Sequence, residues 1–255
     1  MIKRNITKIL VLIVLTLVVC GCSKKDSSSP VNNKTNVALT QRQKDILREV
    51  DLPTDYQELS LSQQNAINSI EDMLSYAENK YKIPFSYARY SQFDVLEGEH
   101  MRAYPTSGDK ETDSFTITKI EKGYTDDYLQ IAIREPYIQM LSKNIRNIIP
   151  KTEFRVYADI TNTSLEKIPV NNEDYNGNVS CSMCVFIDDI TLQDKNIDEF
   201  EEEFYNFLYK NQLYCMAQVI VLKEDGIKYI TKYNYTEYLK NDENKTRDIM
   251  YVNKE

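Results

Sequence analysis

The sequence is poor in the residues on which much familiar enzyme chemistry depends. Its 255 residues include one His, six Gly and no Trp. Loops that cradle phosphates or dinucleotides need closely spaced glycines, and no two glycines here lie within five positions of each other. Catalytic triads and zinc sites with several imidazoles would have to use His100 or do without histidine. These shortages exclude the common nucleotide-binding classes and give no support to histidine-dependent catalysis.

The balance of charge argues against a nucleic-acid partner. The chain carries 31 basic and 39 acidic residues, and its net charge is −8. Proteins that bind nucleic acids neutralise phosphates with an excess of lysine and arginine. We therefore expect no nucleic acid among the partners of this protein.

The first 21 residues have the layout of a signal peptide. Lys3, Arg4 and Lys8 precede a largely apolar stretch at residues 9–20. A helix of that length extends about 18 Å and is too short for the hydrocarbon core of a bilayer, which is about 30 Å thick. The segment 1–21 is therefore predicted to be a cleaved export signal.

The end of this segment resembles the lipobox of bacterial lipoprotein precursors. Val19 is the aliphatic residue at position −3, Gly21 is the small residue at position −1, and Cys22 follows. Cys20 does not fit, because the branched Val19 would then stand where the peptidase needs a small side chain. The resemblance implies cleavage between Gly21 and Cys22 and acylation of Cys22; a plain membrane anchor or an ordinary secretory signal is the alternative.

Cleavage makes the mature chain strongly acidic. Loss of residues 1–21 removes three positive charges and no negative charge, so 234 residues with a net charge of −11 remain. An anionic envelope repels such a chain, so we expect membrane attachment through acyl chains on Cys22. Residues 22–39 comprise this cysteine and a polar, flexible tether with a reach of roughly 20 to 25 Å. The expected location is the extracytoplasmic face of the cell membrane.

Residues 40–255 are predicted to form an α+β globular region, in which helices pack on a mostly antiparallel or mixed sheet in two layers. Sub-lobes at 40–150 and 151–255 are compatible with the pattern. Helical periodicity predicts helices at 40–50, at 60–82 with a capping box of Ser60 and Gln63, from Pro136 to Pro150, and after Asn196. Strands are predicted at 85–90, 100–104, 114–120, 128–133, 154–160, 181–187, 214–222 and 227–235. From residue 127 this order matches a ferredoxin-like unit and also other two-layer α+β folds.

Three cysteines lie beyond the signal region. Cys181 and Cys184 form a CxxC pair, but the pair lies on a predicted strand, whereas a reactive pair needs its first thiol at a helix start. No second pair or nearby histidine completes a metal site. Three interpretations remain open: buried free thiols, a disulfide between Cys181 and Cys215, and a functional thiol. We expect no metal site.

Tyrosine is abundant, with 19 residues. Tyr229, Tyr233 and Tyr235 are predicted to share one face of the last strand. Such a surface would suit a protein, peptide or glycan, because tyrosine provides contact area at little cost in rotamer entropy. The alternative is packing at the edge of the core, since strands favour tyrosine in any case.

One further resemblance covers residues 39 to about 160. The stretch 39–81 (LTQRQKDILREVDLPTDYQELSLSQQNAINSIEDMLSYAENKY), together with the later HMRAYP, resembles a domain that recurs in uncharacterised lipoproteins of Gram-positive bacteria. The resemblance implies placement on the outer face of the cytoplasmic membrane. It transfers no reaction, cofactor or catalytic residue.

The sequence therefore predicts a lipid-anchored protein with a non-enzymatic binding or cell-envelope accessory role and no cofactor. No catalytic residue is assigned. The alternatives are a surface hydrolase that acts through paired carboxylates, or an isolated serine or lysine, and a solute-binding lipoprotein of a transport system.

Overall fold

The computed structural model describes residues 38–93, 98–189, 191–192, 195–222, 226–239, 245–246 and 249–253. The chain from Ala38 to Glu255 forms one compact unit. It has an α+β fold with a four-stranded and a five-stranded sheet, each largely antiparallel, which confirms the predicted fold class. None of the described helices is both long enough and apolar enough to span a membrane.

The first half of the compact unit is a helical hairpin followed by a meander. The helices are α1 (Gln41–Glu49) and α2 (Leu61–Tyr81). The strands β1 (Phe85–Ser91), β2 (His100–Pro105), β3 (Phe115–Ile120) and β4 (Gly123–Asp126) pair in chain order. The predicted capping box is confirmed, since the Ser60 side chain accepts from the Gln63 amide and the Gln63 side chain accepts from the Ser60 amide.

Helix α3 (Tyr128–Ile148) joins the two halves and corrects two predictions. The strand predicted at 128–133 is wrong, because these residues form the first turns of the helix. Pro136 lies inside α3 and does not open it. The proline is exposed and lacks the N–H that would bond to the Ala132 carbonyl, so packing of the helix on both sides of this position outweighs the local preference to stop.

The second half is built on the five-stranded sheet. Its elements are β5 (Phe154–Thr163), β6 (Val179–Asp188), α4 (Ile197–Lys210), β7 (Tyr214–Leu222), β8 (Lys245–Thr246) and β9 (Met250–Val252). The order is β5-β6-β7-β8, and β9 also pairs with β7. A parallel pair is formed by β6 and β7, which α4 connects, whereas the other pairs are antiparallel.

This topology differs from the ferredoxin-like alternative. In a split βαβ unit another strand lies between the two parallel strands, but here β6 and β7 pair directly. The strand predicted at 227–235 is also wrong. The chain instead forms a 3-10 turn (Gly226–Tyr229) and the short helix α5 (Tyr235–Tyr238). Ile227 of the turn and Ile230, which follows it, are buried against Phe186 and Ile220.

Two main cores lie on either side of the start of α3. Tyr128 contributes to the core of the first half, whereas Leu129 and Ile133 contribute to that of the second half. Ala132 contacts both cores. Because one helix supplies adjacent residues to both cores, the two sheets are held as parts of one packed body.

Candidate functional site

A wide groove of about 1130 Å³ runs between α3 and β5. We call it the α3–β5 groove. One end is formed by the loop 105–113 together with the segment 232–235, and the other lies at the turn from α3 into β5. Its lining residues are Ile83, Pro105, Ser107, Gly108, Glu111, Thr112, Asp113, Tyr128, Ile131, Ala132, Arg134, Glu135, Ile138, Ser142, Lys143, Arg146, Phe154, Arg155, Val156, Tyr157, Ala158, Asp159, Lys232 and Tyr235.

One stripe of α3 forms a wall of the groove. The stripe recurs at helical spacing and comprises Ile131, Arg134, Glu135, Ile138, Ser142 and Arg146. The opposite stripe is buried in the core of the second half and includes Tyr137 and Leu141. A connection of five residues, 149–153, turns the chain from α3 into β5, so the two elements run antiparallel. The Arg146 guanidinium lies 4.4 Å from the centre of the Phe154 ring at this turn.

Two stacked tyrosines line the groove beside β5. The rings of Tyr157 and Tyr235 are 4.7 Å apart and nearly parallel. The Tyr235 hydroxyl donates to the Asp159 carboxylate at 2.9 Å, and the Tyr157 hydroxyl donates to the Ile230 carbonyl at 3.1 Å. Burial raises the pKa of both phenols, and the hydrogen bond to Asp159 raises that of Tyr235 further. Both rings are therefore neutral near pH 7 and offer flat contact surfaces.

An ion pair fixes the end of the groove formed by the loop 105–113. Arg134 donates to the Asp113 carboxylate at 2.5 Å and to the Thr112 carbonyl at 2.7 Å. Burial opposes ionisation of Asp113, but hydrogen bonds from the Asp109 amide and from Arg134 hold its pKa below the usual value. Lys232 donates to the Thr112 hydroxyl at 3.1 Å. This end is therefore held by contacts within the protein.

The other end of the groove is cationic. Lys143, Arg146 and Arg155 are exposed there. Arg146 donates to the Thr152 carbonyl at 2.6 Å, and the Nε of Arg155 donates to the Ile227 carbonyl at 3.3 Å. Among the described residues Lys143 has no hydrogen bond or ion pair. Since backbone carbonyls position the two arginines without neutralising them, positive charge remains available to a ligand.

Neither Asp113 nor Asp127, two carboxylates with a shifted pKa that lie in or near the groove, is placed as a general acid there. A general acid needs a raised pKa and a second carboxylate across a cleft. In the groove the pKa of Asp113 is lowered. Burial raises the pKa of Asp127, but this residue does not line the groove, and its carboxylate accepts the Thr116 amide at 2.6 Å.

The three cysteines lie away from the groove, and the structure holds them as thiols. Cys181 and Cys215 are direct partners across β6 and β7, and the Cys181 thiol donates to the Tyr137 hydroxyl at 3.8 Å. The neighbouring Cys215 and burial raise the pKa of Cys181, and burial raises that of Cys184 to about 11. A thiol whose pKa is raised, as for Cys181 and Cys184, is a poor nucleophile at pH 7. Cys184 contacts the other side of the sheet, as its spacing from Cys181 on a strand predicts.

The predicted tyrosine surface is wrong in its geometry. Tyr229 ends the 3-10 turn, Tyr233 lies in the following turn and Tyr235 begins α5, so the three do not share a strand face. Tyr235 reaches the groove, whereas Tyr229 does not line it. The Tyr233 hydroxyl donates to Asp109 at 3.2 Å and so ties this segment to the loop 105–113.

Other predicted residues fall elsewhere. Gly21 and Cys22 lie outside the described residues. His100 begins β2, and its Nδ1 lies 3.2 Å from the Gly98 carbonyl. In the part of the chain that the structure describes, no three histidine, cysteine or acidic side chains are grouped as metal ligands would be.

Sequence reasoning missed most of the groove, because it placed a strand at 128–133. The spacing of Ile131, Ile138 and Ser142 was the available signal, and it becomes visible only when the helix begins at Tyr128. The sequence does not show that β5 lines a groove, because its residues alternate as in any strand with one covered face.

Comparison with known proteins adds little to this picture. No protein-family model matches the chain, and neither does any curated protein. The chain is similar to the crystal structure of a DUF5037 family protein from Ruminococcus gnavus, with 15% identity and a TM-score of 0.35. The similarity covers 62% of this chain and 76% of that chain. A similarity of this size carries no argument about function.

Proposed function

We propose that this protein is a lipid-anchored, extracytoplasmic binding protein that holds a protein, peptide or glycan ligand in the α3–β5 groove. The observation that carries the proposal is the groove itself. At about 1130 Å³ it exceeds the roughly 300 to 1,000 Å³ of common small-molecule pockets. It also combines a helical wall that carries both apolar and charged side chains, two stacked tyrosines and a cationic end, which together can contact a ligand along its length.

Binding accounts for the groove better than catalysis does. An active site assembles a nucleophile with a base, or two carboxylates with separated pKa values. In this groove Arg134 neutralises Asp113, and Tyr235 occupies the Asp159 carboxylate. Groups that are already engaged in this way position the walls and are poorly placed to transfer protons.

The proposed anchor rests on Cys22 and on the segment that follows it. The residues from Val19 to Cys22 match the lipobox pattern, and the residues after Cys22 are polar. Such a tether would hold a compact unit that begins at Ala38 close to the membrane surface.

Metabolic labelling tests the anchor. Cells that express the wild-type chain should incorporate radiolabelled fatty acid into this protein, and Cys22→Ala should abolish the label. Cys20→Ala is the matched control and should keep it. A labelled Cys22→Ala chain would contradict the proposed attachment.

A thermal-shift screen tests the groove. The full-length chain in mild detergent is screened against cell-wall fragments, oligosaccharides and peptides. A genuine ligand should raise the melting temperature of the wild type, and the effect should be lost in the double variant Lys143→Glu, Arg155→Glu. The double variant Lys122→Glu, Arg89→Glu makes the same change of charge on exposed residues outside the groove. Ligands that bind both double variants equally well would show that the groove is not the binding site.

A further inference from the structure

Strand β5 forms an edge of the five-stranded sheet. It pairs with β6 on one side, and among the described residues no strand pairs with its other side. In an antiparallel pair every second residue directs its N–H and C=O groups away from the partner. Apart from their pairing with β6, residues 155–162 make no backbone hydrogen bond to another described residue. A row of unpaired backbone donors and acceptors therefore lies along this edge.

The groove runs along this edge. Six consecutive residues of β5, from Phe154 to Asp159, line it. Consecutive residues of a strand point to opposite faces of the sheet, so a cavity that contacts all six must follow the edge of the strand. The six residues of β5 that line the groove extend about 20 Å, and the stripe of α3 from Ile131 to Arg146 extends about 24 Å, so the edge and the wall are similar in length.

The two faces beside the edge differ in chemistry. On the side of α3 the groove offers Ile131 and Ile138 among charged residues such as Lys143. On the other side it offers Arg155, Tyr157 and Asp159. The side chains of a strand added to β5 would point alternately to these two sides. Apolar side chains of such a strand would contact Ile131 and Ile138 on one side and Tyr157 on the other. Acidic side chains would complement Arg155, which is exposed, or Lys143 of α3, which is unpaired among the described residues.

We infer that the groove binds an extended polypeptide segment with alternating apolar and acidic residues, which adds to the free edge of β5 as a further strand. The inference rests on the proposed function and specifies its ligand. Backbone hydrogen bonds to β5 provide affinity, and the two differing sides of the groove select the side chains.

The test uses an acetylated, amidated octapeptide of alternating valine and glutamate and the full-length chain in mild detergent. Binding is measured by calorimetry, and protection of the β5 amides by hydrogen exchange. Two further peptides carry N-methyl groups on all valines or on all glutamates. Only one set of peptide N–H groups can face the edge, so one peptide should lose at least about tenfold in affinity and the other should bind within about threefold of the parent.

Protein variants separate this inference from the proposed function. Arg155→Glu should weaken binding of the octapeptide about tenfold, whereas Arg89→Glu, an exposed change on β1 outside the groove, should not. Strand addition is overturned if both N-methylated peptides bind like the parent or if both fail to bind. It is also overturned if the octapeptide binds without protecting the β5 amides from hydrogen exchange. Strand addition is also overturned if the octapeptide does not bind but an oligosaccharide does, and if Lys143→Glu weakens binding of that oligosaccharide. This result would still agree with the proposed function. Concentration-dependent dimers that Arg155→Glu abolishes would assign the edge to a second copy instead.

Discussion

The two halves of the compact unit use their charged groups in opposite ways. In the first half the Asp126 side chain is fully buried and accepts hydrogen bonds from Tyr76, Tyr81 and Lys80. Arg42 pairs with Glu71 and with Glu78 in the same half. In the second half exposed cations and a free strand edge face the open α3–β5 groove.

The difference separates charges that stabilise the fold from charges that can contact a ligand. A carboxylate whose oxygens accept three side-chain donors has little capacity left for another molecule. An exposed lysine without a partner among the described residues, such as Lys143, can still form charge-assisted hydrogen bonds with a ligand. The proposed function accordingly assigns these ion pairs of the first half to stability and ligand contact to the groove along β5.

The largest effect is expected from a cavity in the core of the second half. Phe204 is fully buried there on α4, so Phe204→Ala should lower the free energy of unfolding by about 3 to 5 kcal/mol. Tyr209→Ala, on the exposed face of the same helix, is the control and should cost less than about 1 kcal/mol. Chemical denaturation measures both. Because α3 contributes to both cores, the two sheets should unfold in one transition. Two separate transitions would show that α3 does not couple the unfolding of the two halves.

A second prediction concerns the buried carboxylate of the first half. Asp126→Asn removes the charge that Lys80 and two tyrosine hydroxyls approach, and it should cost about 2 kcal/mol. Asp45→Asn changes an exposed carboxylate that pairs with Arg48 on the surface of α1, and it should cost less than about 1 kcal/mol. If the two variants lose the same free energy of unfolding, then the hydrogen bonds to Asp126 stabilise the first half no more than a surface ion pair does.

The pH dependence of stability sharpens the same contrast. Burial opposes ionisation of Asp126, but hydrogen bonds from Lys80 and the two tyrosines lower its pKa below the unfolded value. Its stabilising contribution is thus complete above the unfolded pKa of about 4, and it is lost as the pH falls from there through the folded pKa. Denaturation at pH 6 and at pH 3 should show a smaller loss for Asp126→Asn than for the wild type. A loss of the same size in both proteins would contradict the assignment.

How much could be predicted from the sequence depended on how local the signal was. The capping box of Ser60 and Gln63 and the alternation in β5 and β6 are local patterns, and they gave the correct elements. The start of α3 was missed, because residues 128–133 resemble a strand and Pro136 resembles a first helical residue. Packing against both cores decided the outcome there, and that information is not local.

The candidate site was harder to predict than the fold. The groove brings together a loop, a helix, a strand edge and the segment 232–235, and this last segment lies far from the others in the sequence. The segment 227–235 alternates like a strand, but it folds as turns because Ile227 and Ile230 cover the face of the sheet that carries Phe186. Of the three tyrosines predicted to share a strand face, Tyr235 therefore lines the groove, but from the start of a short helix.

The smallest effect is expected in the helix that joins the halves. Pro136 costs α3 one backbone hydrogen bond, so Pro136→Ala should restore the bond to the Ala132 carbonyl and stabilise the protein by about 1 kcal/mol, after allowance for the greater freedom of the unfolded chain. Pro53→Ala, in the loop between the first two helices, is the matched control and should instead destabilise by about 0.5 kcal/mol. Denaturation midpoints of the two variants measure the opposite signs. If Pro136→Ala instead destabilises the protein, then the proline gives α3 the shape that it needs to contact both cores. In that case the contacts with the two cores outweigh the backbone hydrogen bond that the helix lacks at this position.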